Sequence, residues 1–170
     1  MTPYAQTILQ LLDYEVHCNL QSLDFLARLA DEELHRDMGF GWRTLHRTVF
    51  HIANVLRTWS RCVGPVIEKP EPLAYRAEMP LAEIRAMIVE LGDAWRLAAK
   101  ASHEQGLLDS DRRLHQVFHL VTHGTHHRGQ LLSMLTLLGY PQPFEGGDFG
   151  GWSKGRHGDN ETQEHGTDFI

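Results

Sequence analysis

Apolar residues recur at helical intervals over four long stretches of the chain. In residues 4–30 they fall at every third or fourth position, which places them on one face of a helix. That face comprises Ile8, Leu11, Leu12, Val16, Leu20, Leu23 and Leu26. No proline or glycine interrupts this stretch, so the pattern predicts a long first helix.

The second helix is predicted within residues 43–63, which end just before a Gly-Pro pair. Its apolar face comprises Leu45, Val49, Ile52, Val55, Leu56 and Trp59. The segments on either side are predicted to be connections. Two glycines and a cluster of charges interrupt the pattern in residues 31–42, and four prolines do so in residues 64–80.

A third helix is predicted to begin near Pro80 and to run through residues 81–102, since proline is accepted in the first turn of a helix. A fourth is predicted from Ser110 or Asp111, both good capping residues, to Gly139, with a proline two residues beyond. Two glycines inside this helix, at positions 124 and 129, indicate close packing at those points.

Four long helices without a convincing strand pattern predict an all-α protein, an antiparallel four-helix bundle formed by residues 1–143. The remaining segment, residues 144–170, holds seven of the fifteen glycines and few aliphatic residues. It is predicted to be a glycine-rich tail that buries little by itself and could fold back on the bundle.

Composition narrows the class of protein. The chain has 170 residues with 42% hydrophobic and 22% charged, as in a single globular domain. Its 16 basic and 22 acidic residues give a net charge of −6, which argues against a nucleic-acid partner.

No apolar run suits a membrane and the start resembles no secretory signal, so we expect a cytoplasmic protein. Cys18 and Cys62, far apart and without CxxC spacing, are expected to be reduced thiols.

Histidine is the unusual component, with 12 residues, four of them between positions 119 and 127. Histidines four positions apart lie one turn apart on the same helix face, close enough for both rings to bind one metal ion. Such steps connect His115, His119, His123 and His127. Successive steps drift by ~40° around the helix, so one ion would take only one adjacent pair.

A third ligand would have to come from another helix, where His46 and His51 are the candidates on the second helix. His51 lies inside an apolar stretch, where a neutral imidazole needs a partner. An isolated histidine is more often a surface residue or a satisfied core residue. Gly124 occupies the place of the glutamate in an HExxH motif, so that type of protease base is absent.

The stretch "HLVTHGTHHRGQLLSMLTLLGYPQP" resembles the closing helix of the DinB/YfiT-like superfamily of metal-dependent enzymes. The specific part is H-x3-H-R-G-Q, beginning at His123. The stretches "LLDYEVHCNLQSLDFLARLADEEL" and "TLHRTVFHIANVLRTW" are more loosely similar to the first two helices of that family. The resemblance covers about residues 5–143 and implies that His51, His123 and His127 bind one divalent metal ion.

The resemblance also bears on neighbouring residues. His119 is expected to line the site or to support a ligand, with plain helix packing as the alternative, and His126 is expected to lie off the metal. Arg128 is expected to form an ion pair with an acid on another helix, with Asp13 or Glu15 as candidates. Gln130 is expected to be a structural hydrogen-bonding residue.

Two enzymatic functions follow from the resemblance. One is a thiol transferase that uses a low-molecular-weight thiol, and the other is a hydrolase; in each the reacting group would be a metal-bound thiol or water, and no catalytic side chain is assigned. The alternative is a non-catalytic metal-binding or stress-response protein. Zinc is the expected ion, and nickel also suits three imidazoles. The substrate is expected to be a small molecule.

Family members often form dimers, which implies that this chain could form a homodimer. They also tend to finish with a short acidic and aromatic segment, for which Asp168 and Phe169 are the candidates here. If so, the tail would return to the bundle near the site.

Overall fold

In a computed structural model of the chain, residues 3–59, 71–108 and 111–140 are described, and the regular structure within these ranges is helical. The helices are α1 (Pro3–Leu26), α2 (Asp31–His35), α3 (Leu45–Trp59), α4 (Leu81–Glu104) and α5 (Asp111–Leu137). The four long helices occupy the four predicted stretches. The predicted all-α helical bundle is thereby confirmed.

The long helices pack in a ring in which α1 contacts α4 and α5, and α3 contacts the same two helices. In the α1–α4 pair, Asp13 bonds Arg96 and Asp24 bonds Arg85, so these two helices run antiparallel. Between them and their neighbours lies an apolar core that includes Trp95 at 1% exposure. Burying such side chains is the main driving force for assembling amphipathic helices.

The directions of the other pairs explain the length of one connection. α3 and α5 run antiparallel, with Thr48 near Met134 and Trp59 near His119, whereas α1 and α5 run in the same direction. It follows that α3 and α4 are parallel neighbours, so the antiparallel arrangement predicted from the sequence holds for α1–α4 and α3–α5 but not for α1–α5 and α3–α4. The chain must therefore return along the bundle between α3 and α4. Residues 71–80, the described part of the predicted excursion 64–80, belong to this crossover.

Asn54 fastens the described end of the crossover to α3. Its side chain donates to the backbone oxygen of Leu73 at 3.0 Å and accepts from the backbone nitrogen of the same residue at 2.9 Å. The two bonds satisfy the backbone nitrogen and oxygen of Leu73, which lies outside the helices and has no helical hydrogen-bond partner there.

The connection predicted at residues 31–42 contains a short helix, α2, that the sequence pattern did not indicate. The Glu33 side chain accepts a hydrogen bond from the backbone nitrogen of Ala30 at 3.1 Å, which stabilises the first turn. Leu34 is 7% exposed and anchors the helix to the core. Five residues are too few for a hydrophobic period to be recognisable, which is why the prediction missed it.

The predicted end of the fourth helix is confirmed. The backbone nitrogen of Gly139 donates to Thr136 and that of Tyr140 to Leu135, at 3.0 and 2.9 Å, the bonding pattern of a Schellman motif. Gly139 has φ of 92°, a left-handed conformation that a side chain would disfavour.

Several predicted features lie outside the described residues. They are Cys62, the helix stop near residues 64–65, Ser110, the tail 144–170, and Asp168 and Phe169 within the tail. Cys18 is buried as a free thiol. Across the described helices, none combines the length and apolar character that a membrane crossing requires.

Candidate metal centre

Three histidine side chains from two helices meet between α3 and α5. His123 and His127 lie one turn apart on α5, so their rings project from the same face. His51 lies midway along α3, which packs antiparallel to that face. Each ring offers one nitrogen to a group in which all ligand atoms lie within 4.8 Å of one another. The structure thus brings together the three residues that the family resemblance singled out.

The spacing of the three Nε2 atoms suits a shared cation. His123 Nε2 lies 3.4 Å from His51 Nε2 and 3.2 Å from His127 Nε2. Two nitrogens that each lie ~2.0–2.1 Å from a tetrahedral zinc ion are about 3.4 Å apart. The donor set therefore fits one divalent metal ion, and three protein ligands is the number that catalytic zinc sites use.

Gln130 fixes which nitrogen of the neutral His127 ring carries the hydrogen. The Gln130 amide nitrogen lies 3.1 Å from His126 Nε2, and its Oε1 lies 2.9 Å from His127 Nδ1. A carbonyl oxygen only accepts, so His127 Nδ1 donates to it. The lone pair of His127 Nε2 is then directed at the cluster, as a metal ligand requires. Gln130 is the hydrogen-bonding residue that the sequence indicated, and its partner is a proposed ligand.

The loop of residues 36–44 covers one side of the three histidines. The Trp42 indole stacks on the His51 imidazole, with 4.1 Å between ring centroids and 28° between planes. Gly41, with φ of 54°, packs so closely that a Cβ there would lie 2.9 Å from Gln130 Oε1. This loop therefore restrains the orientation of His51 directly, through Trp42, and that of His127 indirectly, through Gln130.

Sequence reasoning missed the part played by this loop. The glycines of "GFGW" were visible, and they do mark left-handed backbone at Gly39 and Gly41. The one signal for a role in the site is Trp42, an aromatic residue that lies between these glycines and the helix that carries His51. That signal is weak, because stacking of Trp42 on His51 depends on how the loop folds over α3.

Burial keeps the three rings neutral. Burial, together with the neighbouring His127 and His123, lowers the pKa of His51 to about 4. It likewise lowers the pKa of His123 to about 4, with His127 adding to the effect. The pKa of His127 is also lowered by burial, although the bond to Gln130 opposes the change. Neutral imidazoles are the protonation state that binds metal.

His46, the other candidate on the second helix, has a different environment. Its side chain is 2% exposed, and its Nε2 donates to the backbone oxygen of Met79 at 2.7 Å. Its Nδ1 lies 3.0 Å from the Tyr75 hydroxyl, which can donate to it. Burial lowers the pKa of His46, consistent with a neutral ring. His46 is a satisfied core histidine that fastens the crossover to α3, which leaves His51 as the residue of α3 in the cluster.

The remaining histidines of α5 lie around the cluster. His126 is exposed and lies outside the group of three, as expected. His119 is also exposed; its ring centroid lies 6.1 Å from that of His123 and 4.9 Å from that of Trp59. His119 is thus a neighbour of a proposed ligand and lies at the border of the cluster.

Arg128 turns to the opposite side of α5, where it forms the predicted ion pair. Its Nη1 lies 2.9 Å from Glu15 Oε1 on α1, and the two side chains are 1% and 0% exposed. Asn19 accepts from the same nitrogen at 3.1 Å and donates to Glu15 Oε1 at 2.9 Å. Burial raises the pKa of the Glu15 carboxyl, while Arg128 and Asn19 oppose that rise. Asp13, the other candidate, pairs with Arg96.

The two glycines inside α5 differ. A Cβ on Gly124 would lie 1.8 Å from Glu15 Oε1, so the predicted close packing is confirmed there. A Cβ on Gly129 would meet nothing within 4 Å among the described residues, so the prediction is wrong at that position. Gly124 therefore admits the buried carboxylate, and no glutamate of an HExxH motif could occupy its place.

The structure and its site define an all-helical bundle that gathers three histidines from two helices at one point. The sequence matches the family model described as "DinB family" over residues 4–150, and the chain belongs to the DinB family. A comparison with curated proteins finds no match to this sequence.

Proposed function

We propose that this protein is a metal-dependent enzyme that binds one divalent ion, zinc in the first place, through His51, His123 and His127. The observation that carries the proposal is the convergence of three Nε2 atoms from two helices, with separations of 3.2 and 3.4 Å. Nickel suits the same donor set. An ion held there supplies a Lewis acid that favours the deprotonated form of a thiol or of water.

The residues around the site prepare the ligands for this task. Burial keeps the rings neutral, Gln130 directs the lone pair of His127, and Trp42 holds the plane of His51. A set of three neutral donors leaves the full charge of a divalent ion available to a substrate group. This favours an enzymatic site over a structural one, which is usually closed by four protein ligands.

We further propose that the reaction is transfer of a low-molecular-weight thiol to a small molecule. A hydrolase of the HExxH type needs a carboxylate base beside its first histidine, and Gly124 there is packed against Glu15. The Glu15 carboxylate is itself bonded to Arg128 and Asn19. A thiol held as thiolate needs no such base during its attack, so the site suits thiol transfer better than hydrolysis.

Metal content tests the first part of the proposal. Protein purified without a metal-affinity column should contain about one zinc per chain by elemental analysis, and His51→Ala should reduce zinc affinity at least a hundredfold because it removes one of three ligands. His17→Ala, which removes an exposed histidine of α1 outside the group, is the matched control and should retain loading. Equal zinc affinity in the two variants would contradict the proposed site.

Thiol transfer is tested on the zinc-loaded protein. Consumption of an electrophilic substrate should require both zinc and an added thiol, and it should be lost in His51→Ala. Zinc binding without any turnover of thiol or of hydrolysable esters would favour a non-catalytic metal-binding protein. Ester hydrolysis without thiol dependence would favour the hydrolase.

A further inference from the structure

A cleft of about 580 Å³ lies beside the three histidines. It is lined by Trp59 from α3 and by Arg112, His115, Gln116 and His119 from α5. His119 forms the border between cleft and cluster, since its ring centroid is 4.9 Å from that of Trp59 and 6.1 Å from that of His123. A volume of this size accommodates a small organic molecule.

The lining has the chemistry of a site for an organic acid. Arg112 carries a permanent positive charge, and no carboxylate of the described residues is among the lining residues. Among the side chains that the structure describes, the guanidinium also has no ion-pair partner, unlike that of Arg96. The chain as a whole has 22 acidic and 16 basic residues, so an acid-free lining around an arginine is a local departure from its composition.

The remaining lining residues suit the body of such a molecule. Trp59 offers an apolar face against which an apolar or aromatic group can pack. His115, Gln116 and His119 offer hydrogen-bonding groups along the same side of α5. The combination of an apolar wall with a few polar groups is typical of small-molecule sites.

Distances along α5 set the length of the ligand. With a rise of ~1.5 Å per residue, seven residues from position 112 to position 119 span about 10 Å, and the next four to His123 span about 6 Å. A carboxylate at Arg112 would therefore leave an extended molecule with its other end near the three histidines. The cleft and the cluster are placed to hold two ends of one molecule.

We propose that this cleft binds the substrate as an elongated organic acid, with its carboxylate at Arg112, its apolar body against Trp59 and its reactive end past His119. The placement of the reactive end rests on the proposed function. Recognition of the acid depends on the cleft alone, so it can be measured separately.

The test uses the full chain kept metal-free with a chelator, so that the probe has no zinc to bind. Phenylbutyrate and its neutral amide, phenylbutyramide, are titrated by calorimetry, with circular dichroism as the check that each sample is helical. The acid should bind about tenfold more tightly than the amide, because a charge-assisted bond is stronger than a neutral one. Arg112→Gln should remove this preference, and Lys100→Gln, an equal charge change at an exposed position of α4, should retain it.

Two results would overturn the proposal: equal affinity of the unmodified chain for acid and amide, or an acid preference that survives Arg112→Gln. Zinc titration of the same variant separates this test from that of the proposed function, since Arg112→Gln should load zinc normally. No acid preference in the unmodified chain, with normal zinc binding, counts against the cleft, whereas failure of the unmodified chain to bind zinc with the preference intact counts against the metal site.

Discussion

Four consecutive residues of α5, from His127 to Gln130, have four different surroundings. His127 faces the cluster and Arg128 faces Glu15 on α1, so adjacent positions lie on different sides of one helix. Gln130 supports His127, while Gly129 meets no described side chain. An advance of ~100° per residue around the helix axis produces this division. The four residues are therefore consecutive in sequence, but their side chains contact different parts of the protein.

The two glycines of α5 provide a paired stability test at the residue scale. Gly124→Ala places a Cβ 1.8 Å from Glu15 Oε1, within a buried network that cannot move freely. We expect the free energy of unfolding to drop by about 2–4 kcal/mol. Gly129→Ala meets no described atom within 4 Å and should raise it by about 0.5–1 kcal/mol, because alanine favours a helix. Urea denaturation measures both, and a change of the same sign in both variants would contradict the packing described.

Gln130 allows a residue-scale test of ligand orientation. Gln130→Leu removes the oxygen that accepts from His127 Nδ1, and we expect zinc affinity to decrease about 10- to 100-fold. Gln130→Glu retains an acceptor and should keep affinity near that of the unmodified chain. Competition with a zinc-binding dye measures both. Unchanged affinity in the leucine variant would mean that the ring orientation is set elsewhere, for example by packing alone.

At the scale of elements, α5 is the helix that connects the site to the rest of the bundle. One face of it meets α3 through histidines, and another meets α1 through a buried ion pair. The 36–44 loop adds a third contact, in which Trp42 stacks on His51 and Gly41 packs against Gln130. The geometry of the cluster therefore depends on two helix interfaces and one loop.

The ion pair between α1 and α5 should be far more consequential than the exposed pairs. Arg128→Met leaves the fully buried Glu15 without its counter-charge, and we expect a loss of about 3–5 kcal/mol in unfolding free energy. Arg85→Met, which breaks the exposed pair with Asp24, should cost about 0–1 kcal/mol. Combining Arg128→Met with Glu15→Gln should recover part of the loss. Similar losses in the two single variants, measured by denaturant titration, would contradict this account.

At the scale of the molecule, stability and metal loading should both depend on pH through the buried rings. In the metal-free fold the pKa of His51 and of His123 is about 4, against ~6.5 in an unfolded chain. As pH falls from ~6.5 towards 4, the unfolded chain takes up protons that the fold excludes, so this contribution to stability is complete above ~6.5 and is lost across that window.

Urea denaturation of metal-free protein across this window provides the measurement. The decline in stability between about pH 6.5 and 4 should be less steep in the variant His51→Gln/His123→Gln, which has no rings to protonate there. An identical slope would contradict the burial of these rings.

The reference pKa of histidine alone would place the loss of metal near pH ~6.5. Because burial lowers both pKa values, we expect loading to persist to lower pH than that.

The sequence by itself determined the helices and the residues available for chemistry. Periodic apolar positions and terminal signals such as Gly139 are local, so they predicted four long helices, and the i to i+4 spacing of His123 and His127 predicted rings on one face. The looser resemblance of the second helix to the DinB family then singled out His51 as their companion. The five-residue helix α2 was too short to leave a periodic signal.

Tertiary structure decided which of these residues meet. His46 and His51 are both histidines of one helix, and only packing shows that the first bonds Met79 and Tyr75 while the second meets α5. Packing also determines that Arg128 forms its ion pair with Glu15 and not with Asp13, and that Trp42 stacks on His51. These contacts join residues distant in the chain, and a linear pattern records the face of a helix without recording what that face will touch.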